Sequence, residues 1–370
     1  MQNDPLSIFE VSGADHLLGG FFLSWPRLSR LLANLESQQR GHELEAIDIE
    51  APIWICGVAR GGSTILLRAL AEHRQVATHR YCDFPGLPTP LWWAEQLARR
   101  ARLETPDTER PHGDGIIINE RSPEAMEEPL WQAWLASQRR LRPAEALTSE
   151  HLPEGFVSAH GLHLKKMLHL RGAPRYLAKA NDHLSRLAVL IEMYPDARFL
   201  IPVRDPAEHV ASSIRQHHRM IKLAKRSPRS RAWMRRLGHF EFGLDRRPPA
   251  LRDRSRVRAI FDAFEAGEDA LGYALWWSGA YGEALDVIAE HPALRAAVRW
   301  VSHNQFCRQP VAEMTQILEH CGLSAGNEAQ LCSEVALQPK RQTPLNSPEL
   351  QALWAPTWSR CREQLGLQGA

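Results

Sequence analysis

Ile53-Trp54-Ile55-Cys56-Gly57-Val58-Ala59-Arg60-Gly61-Gly62-Ser63-Thr64-Ile65-Leu66-Leu67 decides how this chain is read. An apolar run of strand length meets a glycine-rich turn, and a helical pattern follows. Gly57 and Gly62 carry the Gly-x-x-x-x-Gly spacing of a phosphate-binding loop. Glycines let the backbone come close to an anion, and the free amides at a helix start point at it. A loop that grips a triphosphate places lysine after the second glycine. Here Ser63 and Thr64 follow, and the cation stands earlier, at Arg60. The stretch predicts an anion site for a nucleotide whose reactive end is not a magnesium-bound triphosphate.

A second stretch has the same architecture. Arg198-Phe-Leu-Ile-Pro-Val-Arg204 reads as an apolar strand ending in a cation. Asp205 and Pro206 then open a helix, as a favoured N-cap and a favoured first helical residue. Ser212 and Ser213 follow about two helical turns along.

Together the two stretches resemble the sulfotransferases that use 3′-phosphoadenylyl sulfate (PAPS). Arg60-Gly61-Gly62-Ser63-Thr64 is similar to that family's Arg/Lys-Ser-Gly-Thr-Thr loop, with Gly61 in place of the usual serine. The resemblance implies that this loop holds the 5′-phosphosulfate. It also implies that Arg204 and Ser212, eight residues apart as in the family signature, hold the 3′-phosphate. It covers roughly residues 50–215, with a weaker match near 297–322. The fold it implies is three-layer α/β/α, with a central parallel sheet like that of the P-loop nucleotidases. The expected co-substrate is PAPS and the product adenosine 3′,5′-bisphosphate (PAP), with no metal required.

Composition limits the other classes. The 370 residues divide as an N-terminal helical extension, 1–50, and a single domain, 51–370. The net charge of +2 gives no global drive toward nucleic acid. The 6 cysteines are scattered without a Cys-x-x-Cys pair, so neither a zinc cluster nor a disulfide framework is expected. No signal peptide and no apolar run of membrane-spanning length is visible, and a cytoplasmic enzyme of a bacterial kind is expected.

Helices are expected at 26–39, 63–73, around Trp92-Trp93, from Pro123 to about Ser137, at 160–171, 182–194 and 268–290, and from Pro310 to near Gly322. Strands are expected at 53–57, 75–78, 176–178, 198–203 and 298–302, and Ile116–Ile118 is ambiguous. Strands alternating with helices favour a parallel sheet covered on both faces. The stretch 219–256 breaks that alternation and reads as a helical, basic insertion. Between Arg219 and Arg247 it holds ten Lys or Arg against Glu241 and Asp245. Trp233, Phe240 and Phe242 are interleaved there, which fits a flap over an anionic donor and an acidic polysaccharide acceptor. The same pattern also fits a solvated basic face.

Sulfuryl transfer needs positioning, cations around a loose anionic group and a base for the acceptor hydroxyl. Lys179 ends a predicted strand, and the resemblance implies contact with the donor sulfate. The family's glutamate base lies roughly twenty residues past the loop arginine. At that distance this chain has Asp83, taken first as catalytic base, and His79, taken second. His112 and Asp114, in a glycine-containing loop, are candidates for binding the acceptor. The acids of the nearby Glu120-Arg-Ser-Pro-Glu124 stretch fit the orienting of a sugar hydroxyl, and Ser122-Pro123-Glu124 equally fits a helix start. The leading expectation is transfer of a sulfuryl group from PAPS to a hydroxyl of a carbohydrate or glycoconjugate. A kinase with a divergent phosphate loop and an inactive PAPS/PAP-binding module are the alternatives.

Overall fold

The computed structural model describes residues 11–99, 107–110, 113, 115–139, 147–333 and 344–367. Its centre is a five-stranded sheet built from β1 (Ile53–Cys56), β2 (Val76–Ala77), β5 (Arg175–Ala180), β6 (Arg198–Val203) and β7 (Val298–Ser302). The spatial order is β2-β5-β1-β6-β7, and every pairing is parallel. The remaining strands, β3 (Thr108–Glu109) and β4 (Ile117–Ile118), form a separate antiparallel hairpin.

The strands are apolar on both sides because both sides are covered, as parallel sheets require. Side chains alternate at the strand period of two. Trp54, Tyr176, Ala178, Phe199 and Ile201 face one layer, with Leu164, Met167, Val210, Trp277 and Tyr281. Ile53, Ile55, Leu177, Leu200 and Val301 face the other, against Leu66, Leu67 and Leu70 of helix Ser63–Ala71 and Met314, Ile317 and Leu318 of helix Pro310–Cys321. The architecture is therefore α/β/α. At roughly 1.5–3 kcal/mol for each fully buried aliphatic side chain, these two layers carry the fold.

The strand order fixes where a ligand belongs. The chain leaves β1 in one direction, to β2 and β5, and then crosses to β6 on its other side. Loops after β1 and β6 separate at that reversal, and the crevice beyond the carboxyl ends is the usual ligand site of such sheets.

Several boundaries differ from the sequence reading. Pro123 opens no helix: it pairs with Arg80 in an isolated bridge, and the helix begins at Glu128. The stretch expected as one helix over 182–194 divides into a 3₁₀ turn, Asn181–Ser185, and helix Leu187–Met193. Helix Pro206–Arg226 runs without a break through position 219, so the basic stretch begins inside it.

The N-terminal segment forms helices Gly13–Leu23, Pro26–Gln39 and Gly41–Glu45. A buried ion pair ties it down, with Lys166 Nζ 3.0 Å from Glu36 Oε2. Glu36 also accepts from the Trp92 amide at 2.7 Å.

Candidate functional site

The loop after β1 is shaped by its neighbours. A side chain at Gly57 would meet Pro202 Cγ at 3.0 Å, so glycine lets the turn lie against β6. Arg60 has a left-handed backbone, φ 77, although it is not glycine. Gly62 has φ 104, and a Cβ there would lie 2.5 Å from His303 Nδ1. Helix Ser63–Ala71 starts at once. Its first-turn amides have no helical partner by the geometry of an α-helix, and Ser63, Thr64 and Ile65 line an open cleft.

The loop after β6 meets it there. Asp205 caps helix Pro206–Arg226, accepting from the amides of Ala207 at 3.0 Å and Glu208 at 3.2 Å. Arg204 is buried, with Nε and Nη2 donating to Glu208 Oε2 at 3.0 and 2.9 Å. Ser213 turns back into its own helix, donating to His209 O. Ser212 instead faces the first loop, and Arg60 Nε donates to its hydroxyl at 3.2 Å.

These residues line a cleft of about 320 Å³. Arg60, Gly62, Ser63, Thr64, Arg204, Arg215, Ser212 and His303 form one side. Lys179, Asn181, Arg110, Glu124, His239 and Glu241 form another, with Ile116, Met234 and Phe242 as apolar walls. Register explains the place of Lys179: it sits opposite Ile55, beside the end of β1. Burial pushes the Lys179 pKa down, against the pull of Glu124 and Glu241. Burial, helped by the charges of Arg204 and Arg60, pushes the His303 pKa down to about 4, which keeps the ring neutral near pH 7. Burial alone would raise Glu124, but Lys179, His239 and Arg110 hold it below the usual carboxylate range.

The structure thus brings Arg60, Gly62, Ser63, Thr64, Lys179, Arg204 and Ser212 to one cleft. Gly61 lies in the same loop with its Cα turned inward, where an added Cβ would be 2.9 Å from Val58 O and 3.0 Å from the Tyr281 hydroxyl. The family serine has no room at this position.

The two expected bases lie elsewhere. Asp83 accepts from Arg171 Nη2 at 2.6 Å and from the Arg80 amide at 2.8 Å, closing a 3₁₀ turn, and it does not line the cleft. Its neighbours consume it as a turn cap. His79 is buried, with Nε2 2.9 Å from Nε2 of His163, and it too is away from the cleft. Burial lowers the pKa of both histidines, which keeps the pair neutral. His112 and Asp114 lie outside the described residues. The basic stretch is largely spent on internal contacts: Arg231 on Asp245 at 2.7 Å, Arg246 on Asp269 at 2.8 Å and Arg236 on His16 O at 2.7 Å. Trp233 and Phe242 are buried, and only Arg219 of the ten cations lines the cleft.

Sequence reasoning left Glu241, His239, Arg215 and His303 without roles, and took Glu124 only as one acid of the Glu120–Glu124 stretch on the acceptor side. His303 was findable, since it directly follows a predicted strand. Glu124 needed the pairing of Arg80 with Pro123, a contact no local pattern encodes. Among the described residues, no group of three or more His, Cys, Asp or Glu could hold a metal ion, and no helix is long and apolar enough to cross a membrane.

Strand ends carrying an anion loop, a second cation–serine pair and a lysine around one crevice define a protein class. The chain belongs to the sulfotransferase family, whose sequence model matches residues 52–326. Its structure is similar to that of the sulfotransferase STF9 from Mycobacterium avium, at 15% sequence identity and a TM-score of 0.55, covering 98% of this chain and 87% of that one. The sulfotransferase STF1 from Mycobacterium tuberculosis H37Rv is 16% identical, with a TM-score of 0.49, over 97% of this chain and 87% of that one. No curated protein is similar enough to count as a match. The fold is accordingly the P-loop-like fold of sulfotransferases.

Proposed function

We propose that this sulfotransferase takes its sulfuryl group from PAPS and passes it to a hydroxyl of a carbohydrate or other glycoconjugate, releasing PAP. The observation that carries the reading is the contact between Arg60 and Ser212 across one cleft. It sets the two anion loops side by side, as a nucleotide phosphorylated at both ends requires. In this reading the amides of 63–65, with Arg60, Ser63 and Thr64, hold the 5′-phosphosulfate. Arg204 and Ser212 hold the 3′-phosphate, and Lys179 meets the transferring sulfuryl oxygens. Charge spreading onto those oxygens is stabilised by fixed cations and amides, which serves a loose transition state without a metal. The far side of the cleft, with Asn181, Arg110, His239 and Glu241, offers donors and acceptors for a polyhydroxylated molecule.

All six cysteines are free thiols, which favours a reducing compartment and a cytoplasmic setting. The reading includes no nucleic-acid partner. A kinase is disfavoured by Ser63 in the lysine position and by Asp205, whose carboxylate caps a helix. Thermal unfolding tests the donor. PAP without magnesium raises the melting temperature if the reading holds; a shift with magnesium ATP and none with PAP overturns it. Labelled transfer from PAPS to a glycan panel separates an enzyme from an inactive binding module.

A further inference from the structure

Among the described residues two carboxylates line the cleft, Glu124 and Glu241, and neither lies about twenty residues past Arg60, where the family's spacing points. Glu124 enters from the neighbouring chain segment. Arg80 bridges Pro123, the Glu124 amide donates to His79 O at 3.1 Å, and the Tyr81 amide donates to Ser122 O at 3.0 Å. Residues 122–124 therefore run alongside the chain that leaves β2. That contact carries the Glu124 carboxylate to the strand end where a base was sought, while Asp83 on the strand's own extension is turned away toward Arg171. Glu124 is fixed by two donors, the Tyr81 hydroxyl and the Ala125 amide, the latter at 2.7 Å. It shares the cleft with Lys179 and Arg60.

We infer that Glu124 is the general base that accepts the proton of the acceptor hydroxyl. The inference rests on the PAPS reading above. The step balances without a further reactant. The acceptor O–H breaks as its proton passes to the Glu124 carboxylate, and the freed oxygen pair forms the new O–S bond. The old bond from sulfur to the bridging oxygen breaks, and its electron pair leaves on the phosphate of PAP. The proton then passes from Glu124 to solvent.

The charges around Glu124 suit that task. Lys179, His239 and Arg110 keep the carboxylate ionised near neutral pH, ready to accept. Lys179 is shared: Glu124 and Glu241 both act on it, and an incoming sulfuryl group is a third anion for the same ammonium. In this reading the sulfuryl oxygens of the bound donor compete for that ammonium and leave the carboxylate more basic when the acceptor arrives. Glu241 is placed differently. Asn181 Nδ2 holds it, and it also lines an inner cavity of about 30 Å³ with Leu251, Trp276 and Ala280, away from Tyr81.

The full chain and its Glu124→Gln, Glu124→Asp and Glu241→Gln variants test this. Calorimetry with PAP comes first. Wild type that fails to bind PAP removes the donor reading itself, and the inference with it. With PAP bound equally by wild type and Glu124→Gln, labelled sulfate release from PAPS is followed with water, 4-nitrophenol and glycans as acceptors. The expected result is a kcat loss of about 10²–10⁴ in Glu124→Gln, the usual worth of a positioned base, with KM for PAPS unchanged. Glu124→Asp recovers part of it. The loss is smaller with 4-nitrophenol above its pKa, where the nucleophile is already an anion; a merely structural role would not distinguish the acceptors. Equal losses with all acceptors overturn the inference, as does full turnover in Glu124→Gln, or turnover lost in Glu241→Gln but kept in Glu124→Gln. Wild type that binds PAP yet releases no sulfate to any acceptor overturns it too, because nothing is then deprotonated.

Discussion

Arg60 and Ser212, separated by 152 positions in sequence, are joined by a hydrogen bond of 3.2 Å from Nε to the hydroxyl. One residue belongs to the loop after β1 and the other to the helix after β6. The bond joins the two loops that the proposed reading assigns to the two ends of the donor. Charge-assisted hydrogen bonds contribute about 1.5–3 kcal/mol each. Arg60→Ala and Arg204→Ala are each expected to weaken PAP binding by about ten- to a hundredfold or more. Calorimetry checks this, and unchanged affinity in both variants contradicts the site.

Gly61 gives a test of packing. Putting the family serine there places Cβ 2.9 Å from Val58 O and 3.2 Å from Pro202 O, both backbone atoms that cannot swing aside. Gly61→Ser should lower stability by about 1–3 kcal/mol, the usual range for overpacking. It should not improve PAP affinity. A gain in affinity with no loss of melting temperature would show that the loop adapts.

Asp83 separates a cap from a catalyst. Its carboxylate is engaged by Arg171 and by the Arg80 amide. Asp83→Asn is expected to lower the melting temperature while leaving kcat per folded molecule close to wild type. A stable variant without turnover would restore Asp83 to the chemistry.

The pair Lys166–Glu36 joins the N-terminal helices to the core with both side chains buried. Removing one partner leaves a buried charge alone, which costs about 3–5 kcal/mol. Lys166→Met should destabilise by that order in a chemical-denaturation series. A loss below about 1 kcal/mol, the worth of an exposed pair, would mean that the extension is only loosely docked.

Acid should unfold the protein through two buried histidines that feel the charges of Arg60 and Arg204. His303 is held down to about 4 and His209 to about 3, by burial first and by Arg204 and Arg60 next. In the unfolded chain both titrate near about 6.5. Between those values the unfolded chain binds protons that the folded one refuses, so stability falls as pH drops from about 6.5 toward 4 and then 3. His303→Asn should flatten the upper part of that decline in a series of melting curves. An unchanged slope would place the acid sensitivity elsewhere.

Much of this was legible in the sequence, for local reasons. The strands at 53–56, 198–203 and 298–302 announce themselves as apolar runs, and Asp205-Pro206 marks its helix by cap chemistry alone. The two loops proposed to hold the donor could be read because each is continuous in sequence. The acceptor side could not. Glu124 reaches the cleft through pairing with the chain after β2, and Glu241 through a loop after helix Pro228–Arg236. Asp83 misled because a carboxylate at the right spacing looks the same whether it faces a cleft or Arg171. The basic stretch stayed open between two readings for a similar reason, since composition cannot tell cations that pair with Asp245 and Asp269 from cations that wait for a ligand.

The most direct measurement is a crystal structure of the full chain with PAP. The expected result is one nucleotide in the cleft, its 5′-phosphate against residues 60–64 and its 3′-phosphate on Arg204 and Ser212, with Glu124 facing the open 5′ end. PAP bound away from these loops, or in the reverse orientation, would contradict the assignment of the two loops to the two ends of the donor.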